Sequence, residues 1–196
     1  MKLVLASSSK SRKKQLEQLR VPFICHSPEV DETALEHESA DNLVLRLAKE
    51  KAYAVANNYR EHVIIAGDQV HLVEGNIHGK PGDFETALEQ LELAQGKKTE
   101  FLSGIAVHNT RTGSLFLRLV RTEVVFRSLT RAELTRYLEL DQPYECAGSV
   151  RIEGLAPCLI ESISAPDPTA ITGMPLIICC EMLAASGFNC LDYAKI

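Results

Sequence analysis

The sequence has no tryptophan, and aromatic residues make up only 6% of its 196 residues. A protein that stacks bases along a single nucleic-acid strand, or encloses a cation in an aromatic cage, depends on such side chains. The formal net charge is -5 at pH 7, so the excess of Lys and Arg that a nucleic-acid-binding face requires is missing too. We therefore expect no nucleic-acid polymer among the partners of this chain.

Long apolar runs and regular cysteine spacings are also missing. The most apolar late stretch, residues 176–183, is interrupted by Glu181 and is far short of the ~20 apolar residues that cross a bilayer. The apolar stretch after Met1 is too short for a signal peptide. No two of the six cysteines have C-x-x-C spacing, and the six histidines lack zinc-binding spacing. We expect a soluble, cytoplasmic protein with reduced thiols and no membrane partner.

The composition that is present belongs to a folded globular chain, with 45% apolar and 24% charged residues. Its 196 residues are the length of one domain, with a core large enough to need no disulfides. The chain contains no repeat, linker or low-complexity tract. We therefore treat residues 1–196 as a single domain.

Strand and helix patterns alternate along the chain. Residues 2–6 and 23–25 are predicted strands, and residues 62–66 form a fully apolar strand that ends at Asp68 before the β pattern resumes. Two β-rich runs around residues 109–113 predict a hairpin of long strands. This order predicts an α/β fold in which a mixed β-sheet is flanked by helices, with two lobes and a central cleft. The other predicted elements are a basic helix after the first serines, helices opened by Ser39, Asp83 and Thr130, a β-like segment over residues 146–163, and a last helix with Pro175 in its first turn that ends before Gly187.

The first polar cluster is Ser7-Ser8-Ser9-Lys10-Ser11-Arg12, where the first strand gives way to a helix. Hydroxyls, backbone N–H groups and cations at a helix start form an anion site. An ordinary serine N-cap followed by a solvated basic face explains the same residues. The glycine spacing of a P-loop is missing, which argues against a Walker-type nucleotide site.

Three further clusters complete the candidate site. Asp31-Glu32-Thr33 lies in an acidic stretch that, taken alone, is typical of a surface loop. Asp68 follows a buried strand and a glycine, a place where a carboxylate is more often functional. Gly79-Lys80-Pro81 fixes a lysine in a rigid loop. Arg12 and Lys80 supply cations for phosphate oxygens, while Glu32 and Asp68 supply carboxylates for a divalent ion, which together suit metal-assisted attack on a phosphoanhydride.

Further short motifs occur in a fixed order along the chain: Ala48-Lys49-Glu50-Lys51-Ala52, Ala147-Gly148-Ser149, Ile152-Glu153-Gly154 and Gly173-Met174-Pro175-Leu176. Together with Leu5-Ala6-Ser7-Ser8-Ser9, Arg12, Asp31-Glu32-Thr33, Ile65-Ala66-Gly67-Asp68-Gln69 and Gly79-Lys80-Pro81, they resemble the Maf family of nucleotide pyrophosphatases. The resemblance implies a Maf/ITPase-like fold, a homodimer, and hydrolysis of a nucleoside triphosphate to the monophosphate and pyrophosphate with a divalent metal, Mg²⁺ or Mn²⁺.

The resemblance also implies that Asp68 is the proton acceptor. We predict that Glu32 and Asp68 hold the metal and that Arg12 and Lys80 neutralise the triphosphate. Ser7 and Ser9, which belong to the first motif, are expected to hydrogen-bond phosphate. The proline usual in that motif is replaced here by Lys10, which leaves the first turn less rigid.

Gln69 and Glu153 predict which nucleotide is bound, because they resemble the residues of the branch of the family that acts on 7-methyl-GTP. The branch acting on dTTP and UTP typically has Thr and Gln there. A carboxylate at Glu153 can accept the N1–H and N2–H donors of guanine as a pair, and methylation at N7 makes that base cationic. Ser11 stands at a specificity position where some relatives carry a large side chain, so stacking on the base from that side is absent.

Two alternatives stay open at this point. The chain can be a pyrophosphatase for dTTP, UTP, CTP or other modified nucleotides. It can also be a nucleotide-binding, septation-regulating module that does not depend on turnover. The set of acids and cations around Asp68 and Lys80 argues against a pure binder, because binding alone has no need of a proton acceptor.

Overall fold

Seven strands form one mixed sheet in the computed structural model, which describes residues 1–195. The strands are β1 (Lys2–Ala6), β2 (Phe23–Cys25), β3 (His62–Val73), β4 (Asn76–His78), β5 (Lys98–Asn109), β6 (Leu115–Phe126) and β7 (Ile160–Ser164). Their spatial order is β2-β1-β3-β5-β6-β7, with β4 paired to β3. β1 runs parallel to β2 and β3, and the remaining pairs are antiparallel. The predicted mixed sheet is therefore confirmed.

The helices begin where the sequence places capping side chains. Ser9, Ser39, Asp83 and Thr130 each accept a hydrogen bond from a backbone N–H of the first turn, and Thr130 forms a complete capping box with Glu133. Among the helices of residues 1–195, none has both the length and the apolar character needed to cross a bilayer. The helices are α1 (Lys10–Glu17), α2 (Ala40–Ala56), α3 (Phe84–Ala94), α4 (Arg131–Asp141), α5 (Leu176–Ala185) and α6 (Cys190–Tyr193).

The prediction that the strand of residues 62–66 ends at Asp68 is wrong. β3 continues without a break to Val73, and Asp68 lies in its middle. The reason is a long-range pairing: Gly67 faces Ile105 and Asp68 faces Gly104 across the antiparallel ladder with β5. The backbones of β3 and β5 come close together at Gly67 and Gly104 because neither residue has a side chain. A Cβ on Gly67 would lie 3.0 Å from the Gly104 carbonyl oxygen.

Residues 146–159 also differ from the predicted β-like segment. They form turns and two short 3₁₀ helices, and the strand β7 begins only at Ile160. Gly148 and Ser149 both have a φ of 61°, a left-handed conformation that a strand cannot contain. The predicted long hairpin is confirmed as β5 and β6, and α5 ends before Gly187, with α6 following it.

The core is divided into two lobes that share the long strands. In one lobe, α3 and α4 pack on one end of β3, β5 and β6, with Leu91, Phe101 and Leu138 at the centre. In the other, α1, α2 and α5 enclose β1 and the opposite end of β3, around side chains such as Leu5 and Ile64. The helices thus cover the two ends of the sheet separately, and a cleft is left between them.

Candidate active site

A cleft of about 460 Å³ lies between the lobes. Residues from the β1–α1 turn, from α2 and from β3 line one side of it, and residues of the 79–80 loop and the 145–153 segment line the other. All nine side chains that the sequence singled out as site residues are brought together here. They are Ser7, Ser9, Ser11, Arg12, Glu32, Asp68, Gln69, Lys80 and Glu153. Their individual roles stay predictions.

The two candidate carboxylates meet at a lysine that the sequence reasoning did not assign to the site. Nζ of Lys51 lies 2.6 Å from Oδ1 of Asp68 and 2.6 Å from Oε1 of Glu32. The side chains of Lys51 and Asp68 are only 8% and 10% exposed. A signal was available, because Lys51 falls at helical spacing on the face of α2 that is otherwise apolar. A lysine on a buried helix face requires an anionic partner.

The loop that carries Glu32 has no regular structure, and Arg46 of α2 fixes it. Arg46 donates to both carboxylate oxygens of Glu38, at 2.7 and 2.8 Å, and to the backbone oxygen of Thr33 at 3.0 Å. The hydrogen bonds from Arg46 lower the pKa of Glu38 to about 2. Because Thr33 is the next residue after Glu32, this contact places Glu32 within reach of Lys51.

Arg12 connects two walls of the cleft. Its Nη1 donates to the backbone oxygen of Gly67 at 2.7 Å, and its Nε donates to that of Gly173 at 2.9 Å. Burial lowers its pKa, and the charges of Asp68 and Glu32 act in the opposite direction. Among residues 1–195, Nη2 has no hydrogen-bond acceptor, so this end of the guanidinium can bind an anion in the cleft.

The serines shape the turn between β1 and α1. Oγ of Ser7 accepts from the backbone N–H of Ser9 at 3.1 Å, and Oγ of Ser9 accepts from that of Arg12 at 3.3 Å. Each hydroxyl keeps its own proton to donate. The ordinary capping role and the phosphate-binding role therefore coexist in the same side chains.

Lys80 approaches from the other lobe. Its side chain is 58% exposed, with Nζ 3.6 Å from a carboxylate oxygen of Glu145. The adjoining backbone is held, because Gly148 donates its N–H to the Gly79 carbonyl oxygen at 3.1 Å. Lys80 and Arg12 thus present positive charge from opposite sides of the cleft.

Gln69 and Glu153 differ in how much of each side chain is free. Nε2 of Gln69 donates to Oγ of Ser103 and to the backbone oxygen of Ala170, both at 2.9 Å, so the amide nitrogen is committed to the fold. Glu153 is exposed, and its carboxylate has no ion pair within the described part of the chain. Glu153 is therefore the residue of the two whose polar end is free to contact a ligand.

The donor set suits a metal bound together with a substrate. Within residues 1–195 there is no group of three or more His, Cys, Asp or Glu side chains that could enclose a metal ion. Mg²⁺ is usually held by one or two carboxylates together with phosphate oxygens and water. Since Glu32 and Asp68 both touch Nζ of Lys51, their carboxylates are close enough to share such an ion. The residues present fit the predicted divalent cation.

Comparison with known proteins decides the family, because residues 2–186 match the family described as Maf-like protein. The chain belongs to the Maf-like family. The 7-methyl-GTP pyrophosphatase of Pseudomonas syringae pv. syringae (strain B728a) is 45% identical to it over 95% of this chain and 97% of that protein. The 7-methyl-GTP pyrophosphatase of Alcanivorax borkumensis is 44% identical over 94% of each chain. Among solved structures, the Staphylococcus aureus Ham1 protein matches this Maf-like chain with a TM-score of 0.45 and 15% identity, covering 64% of this chain and 72% of that one.

Proposed function

We propose that this Maf-like protein hydrolyses 7-methyl-GTP to 7-methyl-GMP and pyrophosphate. Relatives that bear the name 7-methyl-GTP pyrophosphatase are 44% to 46% identical to it over nearly its whole length. The observation that carries the proposal is the cleft itself, where two carboxylates joined by Lys51 lie between Arg12 and Lys80. Such an arrangement suits a triphosphate with a divalent cation.

The triphosphate is held by cations and hydroxyls on both lobes. Nη2 of Arg12 and Nζ of Lys80 neutralise the phosphate oxygens, and Ser7 and Ser9 donate their hydroxyl protons. A well-placed donor of this kind contributes about 3 to 4 kcal/mol to stabilisation of the transition state, by analogy with the loss of single oxyanion-site donors. Pyrophosphate is a good leaving group once its charge is balanced in this way.

Asp68 accepts the proton of the attacking water. Oδ1 of Asp68 is bound to Lys51, whereas Oδ2 has no hydrogen-bond partner among the described residues. The free oxygen can take a proton while Lys51 keeps the side chain fixed. Glu32 and Asp68 would hold Mg²⁺ or Mn²⁺, which when bound supplies positive charge at the phosphates. Asp68, held in place by Lys51, directs the water at the α-phosphorus.

Base recognition is assigned to Glu153, with Gln69 and Ser11 at the same cleft. The free carboxylate of Glu153 can accept the two N–H donors of the guanine edge, and the positive charge of the N7-methylated base adds electrostatic attraction. Uracil offers one donor between two acceptors and suits an amide better. The small side chain of Ser11 leaves its wall of the cleft open.

The test is steady-state release of pyrophosphate from a panel of methylated and unmethylated triphosphates. We expect Asp68→Asn to lose turnover, and turnover at the wild-type rate would refute the role of Asp68. Glu153→Gln should lose activity on 7-methyl-GTP and gain activity on UTP. An unchanged preference would refute the assignment of Glu153. Tight nucleotide binding without pyrophosphate release under any divalent metal would favour a binding module instead.

A further inference from the structure

An ion pair with one buried partner, Asp141, lies against the segment that carries Glu153. Asp141 is the last residue of α4, its side chain is 3% exposed, and its Oδ1 is paired with Nη2 of Arg151. Oδ2 of Asp141 is buried and has no hydrogen-bond partner among residues 1–195. A Cβ on Gly154 would lie 2.5 and 2.6 Å from the two carboxylate oxygens, so glycine is required for this packing. Burying a carboxylate with one oxygen unpaired costs folding free energy, which the ion pair with Arg151 offsets only in part.

A second side chain of α4 holds the backbone of the same segment. The hydroxyl of Tyr137 donates to the backbone oxygen of Ser149 at 3.0 Å and accepts from the backbone N–H of Arg151 at 3.3 Å. Burial raises the pKa of Tyr137, so the hydroxyl keeps the proton it donates. The backbone leading to Glu153 is therefore fixed to α4, whatever Arg151 does.

Arg151 and Glu153 are two residues apart and carry opposite charges, yet they form no ion pair. The side chain of Arg151 is 41% exposed and its guanidinium pairs with Asp141, while Glu153 lines the cleft without an ion-pair partner among residues 1–195. Both charges act on a common neighbour: burial raises the pKa of the Cys146 thiol, Glu153 adds to that rise, and Arg151 opposes it. If Asp141 did not hold Arg151, Glu153 would be the nearest other carboxylate along this segment.

We propose that Asp141 is a positioning residue for base selection, which holds the cation of Arg151 away from Glu153 and so keeps the Glu153 carboxylate free for a cationic purine. The inference rests on the proposed function, because it concerns the same base subsite. An Arg151 released from Asp141 would neutralise Glu153 and weaken its attraction for the positive charge of an N7-methylated guanine. An unmethylated base gains less from that charge and would be affected less.

The test compares 7-methyl-GTP with GTP in steady-state pyrophosphate release. For Asp141→Asn we expect KM for 7-methyl-GTP to rise about fivefold, the scale of a partly exposed ion pair. The kcat and the KM for GTP should change little. The double variant Asp141→Asn/Arg151→Gln should regain the wild-type preference, because the released cation is gone. The matched control is Arg136→Gln, which removes an exposed arginine of the same helix that pairs with Glu139.

Arg151→Gln alone separates the charge effect from packing. It leaves the Asp141 carboxylate buried without its partner, so we expect a lower Tm but an unchanged preference for 7-methyl-GTP. Loss of the preference in Arg151→Gln, or failure of the double variant to regain it, would overturn the proposal, as would an equal rise in KM for both nucleotides. An unchanged KM for 7-methyl-GTP in folded Asp141→Asn would also overturn it, and where Asp141→Asn does not fold, loss of the preference in Arg151→Gln still refutes the proposal.

Equilibrium binding of 7-methyl-GMP reads the base subsite without turnover. Wild-type protein that binds 7-methyl-GMP more tightly than GMP but releases no pyrophosphate would refute the proposed reaction, and the same variants would still test Asp141 through binding. Wild-type protein that hydrolyses triphosphates without any preference for the methylated base would overturn the role of Asp141 instead.

Discussion

The ammonium of Lys51 lies 2.6 Å from Oδ1 of Asp68, and both side chains are almost completely buried. The same Nζ contacts Glu32 at 2.6 Å, so a single cation joins α2, the middle of β3 and the acidic loop. Two carboxylates this close would repel each other if nothing separated them. Lys51 places a positive charge between them before a metal or a nucleotide binds.

Replacing Lys51 with methionine should therefore damage both folding and catalysis. Breaking a buried ion pair costs about 3 to 5 kcal/mol, since a charge is left without a partner. The Asp68 side chain would also lose the contact that fixes it in the cleft, which misplaces the proton acceptor and should lower kcat by about 10²-fold or more. Urea unfolding and pyrophosphate release measure the two effects. Lys49→Met, on the exposed face of the same helix, is the control. Wild-type stability in Lys51→Met would contradict the structure.

Removal of divalent metal should abolish turnover without unfolding the protein. Lys51 already balances Glu32 and Asp68, and within residues 1–195 there is no preformed cluster of three or more metal-binding side chains. We expect EDTA to stop pyrophosphate release and to leave Tm unchanged, with activity restored by Mg²⁺ or Mn²⁺. Mg²⁺ should raise Tm only when nucleotide is present, because a ligand stabilises the state to which it binds. A large fall in Tm on chelation alone would show a structural metal.

The parts of this structure that could be predicted from the sequence depend on local interactions. The caps at Ser39, Asp83 and Thr130 are decided by side chains within one turn, and the hairpin of β5 and β6 by neighbouring segments. The continuation of β3 through Asp68 could not be predicted in this way, because the partner that sustains it is Gly104, 36 positions further along the chain.

The candidate site shows the same division. The motifs were sufficient to name the nine side chains that line the cleft, but not the contacts among them. Lys51 was passed over, although its place on the apolar face of α2 indicated a buried cation. The hydrogen bonds from Arg12 to Gly67 and Gly173 join residues that are 55 and 161 positions apart in the sequence. No local pattern contains that information.

Gly148→Ala should be among the most destabilising single substitutions on the far side of the cleft. A Cβ there would overlap the buried ring of His71, and the φ of 61° is unfavourable for any residue with a Cβ. We expect a loss of about 3 kcal/mol or more in the free energy of unfolding, from overpacking combined with backbone strain. Gly113→Ala is the control, since its φ of 76° is also left-handed but nothing lies within 4 Å of the added carbon. It should lose only about 1 to 2 kcal/mol. Equal losses in the two variants would show that the contact with His71 is not tight.

The stability of the protein should fall in mild acid because of His71. Its ring is fully buried, stacks on Phe101 with centroids 4.2 Å apart, and contacts Oγ1 of Thr99 through Nε2 at 2.8 Å. Burial lowers the pKa of His71 from 6.5 to about 3. The unfolded chain therefore takes up a proton as pH falls through 6.5, while the folded chain does so only near pH 3. The contribution of neutral His71 to the free energy of unfolding is therefore complete above pH 6.5 and is lost progressively as the pH falls below it.

The loss expected from His71 alone between pH 7 and pH 5 is about 2 kcal/mol, at ~1.4 kcal/mol for each pH unit below the pKa of the unfolded chain. Urea unfolding at the two pH values measures it, and carboxylates contribute little in this range because they titrate lower. In His71→Gln the loss in free energy of unfolding between pH 7 and pH 5 should be smaller by most of those ~2 kcal/mol, whatever the variant's absolute stability. The control is His37→Gln, which removes an exposed histidine and should keep the full fall. An undiminished fall in His71→Gln would mean that His71 is protonated in the folded protein, and so that its buried Nδ1 has a partner.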